Sequence, residues 1–286
     1  QLLNGELQEP FFLGAGIFQP HLPNYALQEY FDKFPLDEIE LPKGYLENDL
    51  EDVPEASSKQ AHINATRCLK LDIREPKQWK HAIQGYLAAC AMTDNLIGRI
   101  VGALEKSKYA ENTIIVLWSD HGFQLGEKER WEKFSLWERA TRVNMIWVAP
   151  GVTKPGTTSV KPVNLLDIYP TLASLTGIKP PDNQLEGKDL SVLMKDPGAS
   201  GFETTLTTFG YKNYAVRSEQ YRYIVYADGS EELYDHQNDR WEWHNLANNL
   251  DYVNVKNKLS REIPIHHEPT GILQLKWELR GWKPKK

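Results

Sequence analysis

The chain has 286 residues, 41% of them hydrophobic and 25% charged, which suits one large domain or a large domain with a smaller one. A net charge of −6 and a pI near 5.8 argue against a protein that binds nucleic acid through its overall charge. Two cysteines, Cys68 and Cys90, are too few for a disulfide framework and leave open one bridge or two buried thiols. No apolar run approaches the length of a membrane span, and no signal peptide is visible. The sequence opens on Gln1 rather than Met, as a processed chain or a piece of something longer would.

Pro10 to Gly16 (PFFLGAG) is an apolar run ending in small residues and reads as a buried strand. Pro20 and Pro23 follow, which fix their own φ and push their predecessors away from helix. His21 therefore sits in a stiff turn at a strand's end, and a loop histidine bonded to backbone is the plain account of it. From Asn24 to Glu55 the chain is acidic, with a short helix expected near Leu27–Phe34. Irregular structure follows, its acidic run a solvated loop. Gln60 to Ile73 has no clear pattern and contains the Asn64-Ala65-Thr66 glycosylation sequon.

Lys77 to Lys106 is the strongest helix signal. Trp79, Ile83, Tyr86, Leu87, Cys90, Leu96, Ile97, Ile100, Val101 and Leu104 approximate a helical stripe. Asp94 lies close to that stripe, suited to capping a neighbouring loop, and Gly98 and Gly102 would permit close packing. Thr113 to Trp118 is an apolar run that reads as a buried strand. It delivers Ser119-Asp120-His121-Gly122 at its end, where open α/β sheets bind ligands. Val143 to Pro150 reads as a further buried strand, and Val163 to Gly177 as a helix with Gly177 as its C-terminal cap. Strands separated by a long helix favour an α/β sheet.

From Glu203 the texture changes. Segments of alternating β-branched and aromatic residues predict an antiparallel sheet of three or four strands. Asp228-Gly229 marks a hairpin, and a helix is expected near Leu250–Ile263. The reading is an α/β body over residues 1–200 and a smaller α+β subdomain over 201–286.

Asp120 and His121 offer a hard oxygen and a nitrogen. That pair suits a transition ion, or Ca or Mg if the remaining ligands are oxygens; a hydrogen-bonded structural pair is the plainer account. Lys133 would suit an anionic substrate such as a phosphate or sulfate ester. Lys128 and Arg130 could fill that role as well, most lysines are simply solvated, and spacing does not choose among the three.

Several segments together are similar to one family. PFFLGAGIFQPHLP, TDNLIGRIVGALEK, TIIVLWSDHGFQLGEKERWEKFSLWERATRV, APGV, VNLLDIYPTLASLTG, LEGKDL and YRYIVYADGSEELYDHQNDRWEWHNLA occur in family order. The chain resembles the C-terminal half to two-thirds of a type I sulfatase, in the iduronate 2-sulfatase-like group of the alkaline phosphatase superfamily. The resemblance implies a mixed sheet flanked by helices, with a smaller C-terminal subdomain carrying an antiparallel sheet. It implies that Asp120 and His121 are ligands of one calcium ion, that Lys133 contacts the substrate sulfate, and that His21 lies near the sulfate and the leaving oxygen. His at position 121 departs from the Asn of many sulfatases and matches the iduronate 2-sulfatase-like group.

The family nucleophile is a formylglycine made within Cys/Ser-x-Pro-Ser-Arg, and neither Cys68-Leu-Lys-Leu nor Cys90-Ala-Met-Thr matches that motif. The nucleophile and the remaining metal ligands are thus expected upstream of residue 1, in an N-terminal portion that this polypeptide would need for turnover. Asn144 stands where relatives commonly carry Pro. The expected activity is hydrolysis of a sulfuric ester on a sulfated carbohydrate, in the periplasm, outside the cell or in a lysosome. The alternatives are a phosphatase or phosphonate hydrolase of the same superfamily, and an inactive glycan-binding fragment. No nucleic acid partner and no membrane span are expected.

Overall fold

The computed structural model describes residues 4–62, 75–180 and 185–267. The sequon, Cys68 and the Trp- and Lys-rich C-terminal stretch lie outside the described residues. In chain order the helices are α1 (Gln28–Phe31), α2 (Glu55–His62), α3 (Pro76–Glu105), α4 (Glu138–Thr141), α5 (Ile168–Thr176), α6 (Ser191–Lys195) and α7 (Val253–Leu259). The strands are β1 (Ile115–Trp118), β2 (Gln124–Leu125), β3 (Trp131–Glu132), β4 (Met145–Val148), β5 (Thr204–Thr208), β6 (Tyr214–Ser218), β7 (Tyr221–Val225) and β8 (Glu231–Asp235). The chain divides into two compact units, one from Gln1–Tyr45, Thr66–Ile115 and Val148–Pro150, the other from Leu46–Ala65, Val116–Trp147 and Gly151–Lys286.

The first unit is built on α3. The Glu75 side chain caps it by accepting from Gln78 N at 2.9 Å, with Pro76 just inside the first turn. Its buried face carries Trp79, Ile83, Ala88, Ala89 and Leu104, α1 packs on it, and Tyr45 meets Trp79 edge-on at 4.7 Å. Three expectations change here. By length and composition α3 is apolar enough to cross a bilayer, which the sequence reading did not expect, and only 17% of its most apolar stretch is buried. Gly98 and Gly102 have open space beside them and mark no close packing. Asp94 is exposed.

Pro10 to Gly16 is not a strand. It is irregular, with Phe12 86% exposed and Leu13 exposed beside it. Extended backbone becomes a strand only by pairing its N–H and C=O groups, and among the described residues no strand pairs with this run.

β1 pairs with β4 in a two-stranded sheet. Both were expected to be buried. Instead Trp118, Ile146 and Val148 are about half exposed, at 48%, 53% and 47%, because a two-stranded sheet leaves most of its surface to solvent. Gly177 caps α5 at φ 68° as expected. Asn164 and Asp167 close the start of the preceding turn reciprocally, and the second Asp167 oxygen accepts from Lys188 N at 2.7 Å.

The four-stranded antiparallel sheet runs in the order β5-β6-β7-β8, with Gly229 at φ 84° in the predicted hairpin. Alternation sends Val216, Tyr223 and Leu233 to one face, where Ala247 and, from α7, Leu259 cover them. Ala215, Ile224 and Tyr234 go to the other, against Leu136 and Trp137. The acidic Asn24–Glu55 segment is less solvated than its composition suggests: Ile39 and Asp49 are buried.

Candidate active site at the end of strand β1

The backbone leaves β1 through Ser119, whose N–H still bonds Asn144 O beside β4 at 3.3 Å. It then turns sharply. Gly122 N donates to Ala140 O at 2.9 Å, and a Cβ at Gly122 would lie 2.1 Å from Arg139 O, so the close approach to α4 requires glycine. Asp120 projects to solvent with its side chain 84% exposed, while one oxygen accepts from His121 N at 3.0 Å.

His121 Nδ1 lies 2.8 Å from Gly122 O. A carbonyl only accepts, so Nδ1 carries the proton and Nε2 presents its lone pair. That lone pair accepts from the Lys133 ammonium at 2.8 Å, and Asp120 Oδ2 lies 3.5 Å from the same nitrogen. The three residues singled out in this stretch thus converge on one point.

Lys133 reaches that point from the hairpin β2–β3, where Gln124 opposes Glu132 and Leu125 opposes Trp131. Lys128 and Arg130 are not alternatives to it. Lys128 is buried and paired to Asp49 at 2.8 Å, and its ammonium lies 5.2 Å from the Tyr234 ring. Arg130 is buried and donates through Nε to Lys133 O at 2.9 Å. Burial lowers its guanidinium to about 10 against the opposing pull of Glu132. Among the described residues, four of the seven non-glycine residues with left-handed backbone fall in or just after this hairpin: Lys128, Glu129, Glu132 and Phe134. Such conformations cost of order 1–3 kcal/mol each and cluster at functional sites.

His21 belongs to the other unit. Its backbone closes a turn on Phe18 at 3.1 Å, its ring packs 4.8 Å from Phe18, and Nδ1 lies 2.6 Å from Leu22 O. The ring is exposed, with Nε2 presented to solvent.

The donor set at β1 fits a hard cation in part: one exposed carboxylate and one imidazole whose Nδ1–H is fixed by a backbone carbonyl. A second carboxylate–histidine group, Glu138, His236 and Glu242, is compact enough to hold an ion, but its charge is already answered. Arg222 pairs with both carboxylates, and Arg217 Nε lies 3.1 Å from Glu138. Burial alone would raise the Glu138 carboxyl; Arg222, Arg217 and His236 override it and hold it down to about 2. This group is a structural ion network rather than a cation site.

The sequence matches the Sulfatase family over residues 1–178 and N-sulphoglucosamine sulphohydrolase, C-terminal, over residues 126–268. A sulfatase of Formosa agariphila is 40% identical over 261 residues, covering 91% of this chain and 51% of its own length. Human iduronate 2-sulfatase is 30% identical over 209 residues, covering 60% of this chain and 37% of its own. A solved structure in complex with its substrate D-glucosamine-2-N,6-O-disulfate superposes with a TM-score of 0.60 at 26% identity, covering 69% of this chain and 44% of that one. The chain spans about half the length of the curated relatives it matches. With the family match covering residues 1–178 of 286, the chain belongs to the sulfatase family.

Proposed function

We propose that this chain carries the metal- and anion-binding half of a sulfuric ester hydrolase acting on a sulfated carbohydrate. The observation that carries the reading is the meeting of the Asp120 carboxylate, His121 Nε2 and the Lys133 ammonium at the end of β1. Asp120 and His121 would hold one calcium ion, His121 through the Nε2 lone pair that Lys133 Nζ meets in this structure; the ion when bound would supply positive charge against the sulfate oxygens and leave the ammonium to the anion. The Lys133 ammonium, a compact point charge, orients the anion and stabilises charge that builds on its oxygens. The family resemblance gives His21 the role of passing a proton to the leaving oxygen.

The nucleophile and the remaining calcium ligands are assigned to a part of the whole protein outside this sequence. Two facts support this: Cys/Ser-x-Pro-Ser-Arg does not occur in the chain, and the relatives are about twice as long. The exposed apolar residues Trp118, Ile146, Val148 and Phe12 suit coverage by that same portion. A sulfated sugar as substrate is supported by the relative bound to a glucosamine disulfate. A periplasmic or secreted location accords with such a substrate.

The test uses the full-length protein, assayed with sulfated sugars beside phosphate and phosphonate esters. Sulfate-ester turnover that falls at least a hundredfold in Lys133→Ala and in Asp120→Ala, and is lost on calcium chelation, is expected. Faster turnover of a phosphonate ester, or wild-type rates in Lys133→Ala, would overturn the reading.

A further inference from the structure

We propose that Asp49 is a positioning residue for Lys133: its buried pairing with Lys128 sets the β2–β3 hairpin in the geometry that brings the Lys133 ammonium to His121 Nε2. The inference rests on the assignment of Lys133 to the substrate anion.

The hairpin cannot set its own shape. Each strand is two residues long, and a hairpin of that size is not stable on its own. Its turn is also conformationally expensive, with Lys128 at φ 53° and Glu129 at φ 50°. Something outside the hairpin must hold these residues, and Asp49, 79 positions earlier, makes the contacts that do so.

Those contacts fix backbone as well as charge. Asp49 Oδ1 accepts from Lys128 Nζ at 2.8 Å, Asp49 Oδ2 accepts from Lys128 N at 3.3 Å, and Asp49 O accepts from Nζ at 3.3 Å. The two side chains are 0% and 2% exposed. A pair buried this completely has no alternative partner in water, so its geometry is stiff. Stability alone does not call for it, since buried ion pairs are often matched by apolar side chains of similar volume. What an apolar pair would not reproduce is the directional hold on Lys128 N.

From Lys128 the restraint runs down the hairpin through hydrogen bonds. Arg130 N donates to Glu127 O at 3.1 Å and Gly126 N to Arg130 O at 2.9 Å. The Arg130 guanidinium then holds Lys133 O. Lys133 lies between two left-handed residues, Glu132 and Phe134, so a small rotation of the turn would swing its side chain off His121. Asp49 touches neither His121 nor Lys133; it acts through Lys128.

The test compares the full-length protein with a double variant, Asp49→Leu with Lys128→Met, which removes both charges together. Two readouts are taken: steady-state turnover of a sulfate ester, and the rate at which trinitrobenzenesulfonate labels the Lys133 amine, followed by peptide mapping. A folded double variant with kcat reduced at least tenfold and a Lys133 labelling rate altered at least threefold is expected. A folded double variant with wild-type kcat and a wild-type labelling rate overturns the proposal. If the double variant does not fold, Asp49→Glu, which keeps the charge and moves the carboxylate by one methylene, is judged by the same two criteria. Absence of turnover in the wild-type protein would count against the proposed function alone, because the labelling rate still reads the position of Lys133.

Discussion

Two regions of this molecule carry large apolar side chains and meet opposite fates. The sheet β5–β8 buries Val216, Ile224, Leu233 and Tyr234 completely, with α7 on one face and Leu136–Trp137 on the other. The segment around Phe12 and the pair β1–β4 leave large apolar side chains about half exposed or more. Apolar sequence is therefore not sufficient for a core; a second layer must cover it. The Lys133 hairpin hangs on the well-covered region, through Trp137, Tyr234 and Asp49, whereas Asp120 is delivered by the thinly covered one.

The sharpest way to break this comparison is truncation in each region. Trp137→Ala removes a 2% exposed side chain and the donor to Glu232 at 2.8 Å, and should cost about 3–5 kcal/mol. Phe12→Ala, at an 86% exposed site, should stay within about 0.5 kcal/mol. Urea unfolding followed by tryptophan fluorescence and circular dichroism measures both, and equal effects would erase the distinction.

A smaller effect sharpens it. Glu138 ties α4 to the sheet through Arg222 and Arg217. Its carboxyl is held at about 2 against an ordinary 4.5, so the folded state favours the ionised form. The resulting stabilisation, about 3 kcal/mol, is present above pH 4.5 and is lost as pH falls toward 2. Glu138→Gln should lower stability by about that amount at pH 7 and flatten the acid limb of the stability–pH curve. A variant with an unchanged acid limb would show that the network contributes nothing.

The smallest expected change is at Asp120, whose side chain is 84% exposed. Asp120→Asn should leave the unfolding midpoint unchanged within about 0.5 kcal/mol. In the full-length protein it should weaken calcium binding at least tenfold by isothermal titration calorimetry.

Much of the fold was legible because the signals were local. The stripe through Trp79, Ile83 and Leu104 announced α3, Asp228-Gly229 announced the β7–β8 hairpin, and Gly177 closed α5. The ordered motifs pointed to the family, and Asp120, His121 and Lys133 were named as a group before any geometry. The elements depend on neighbours a few residues apart, where backbone preference and periodicity act directly; the grouping of the three site residues came from the family resemblance.

Other features were settled only in three dimensions. Pro10 to Gly16 has the composition of a strand and pairs with no described strand, because pairing depends on a partner that its own residues do not specify. Asp49 read as part of a solvated acidic loop and proved to be buried, its partner 79 positions away. Lys128, Arg130 and Lys133 were equivalent candidates by spacing. Tertiary structure separated them by burial: Lys128 is held by Asp49, Arg130 by the carbonyl of Lys133, and the Lys133 ammonium alone of the three meets His121. Sequence fixes which charges are available, but the low-dielectric interior determines which are taken up by partners and which remain for a ligand.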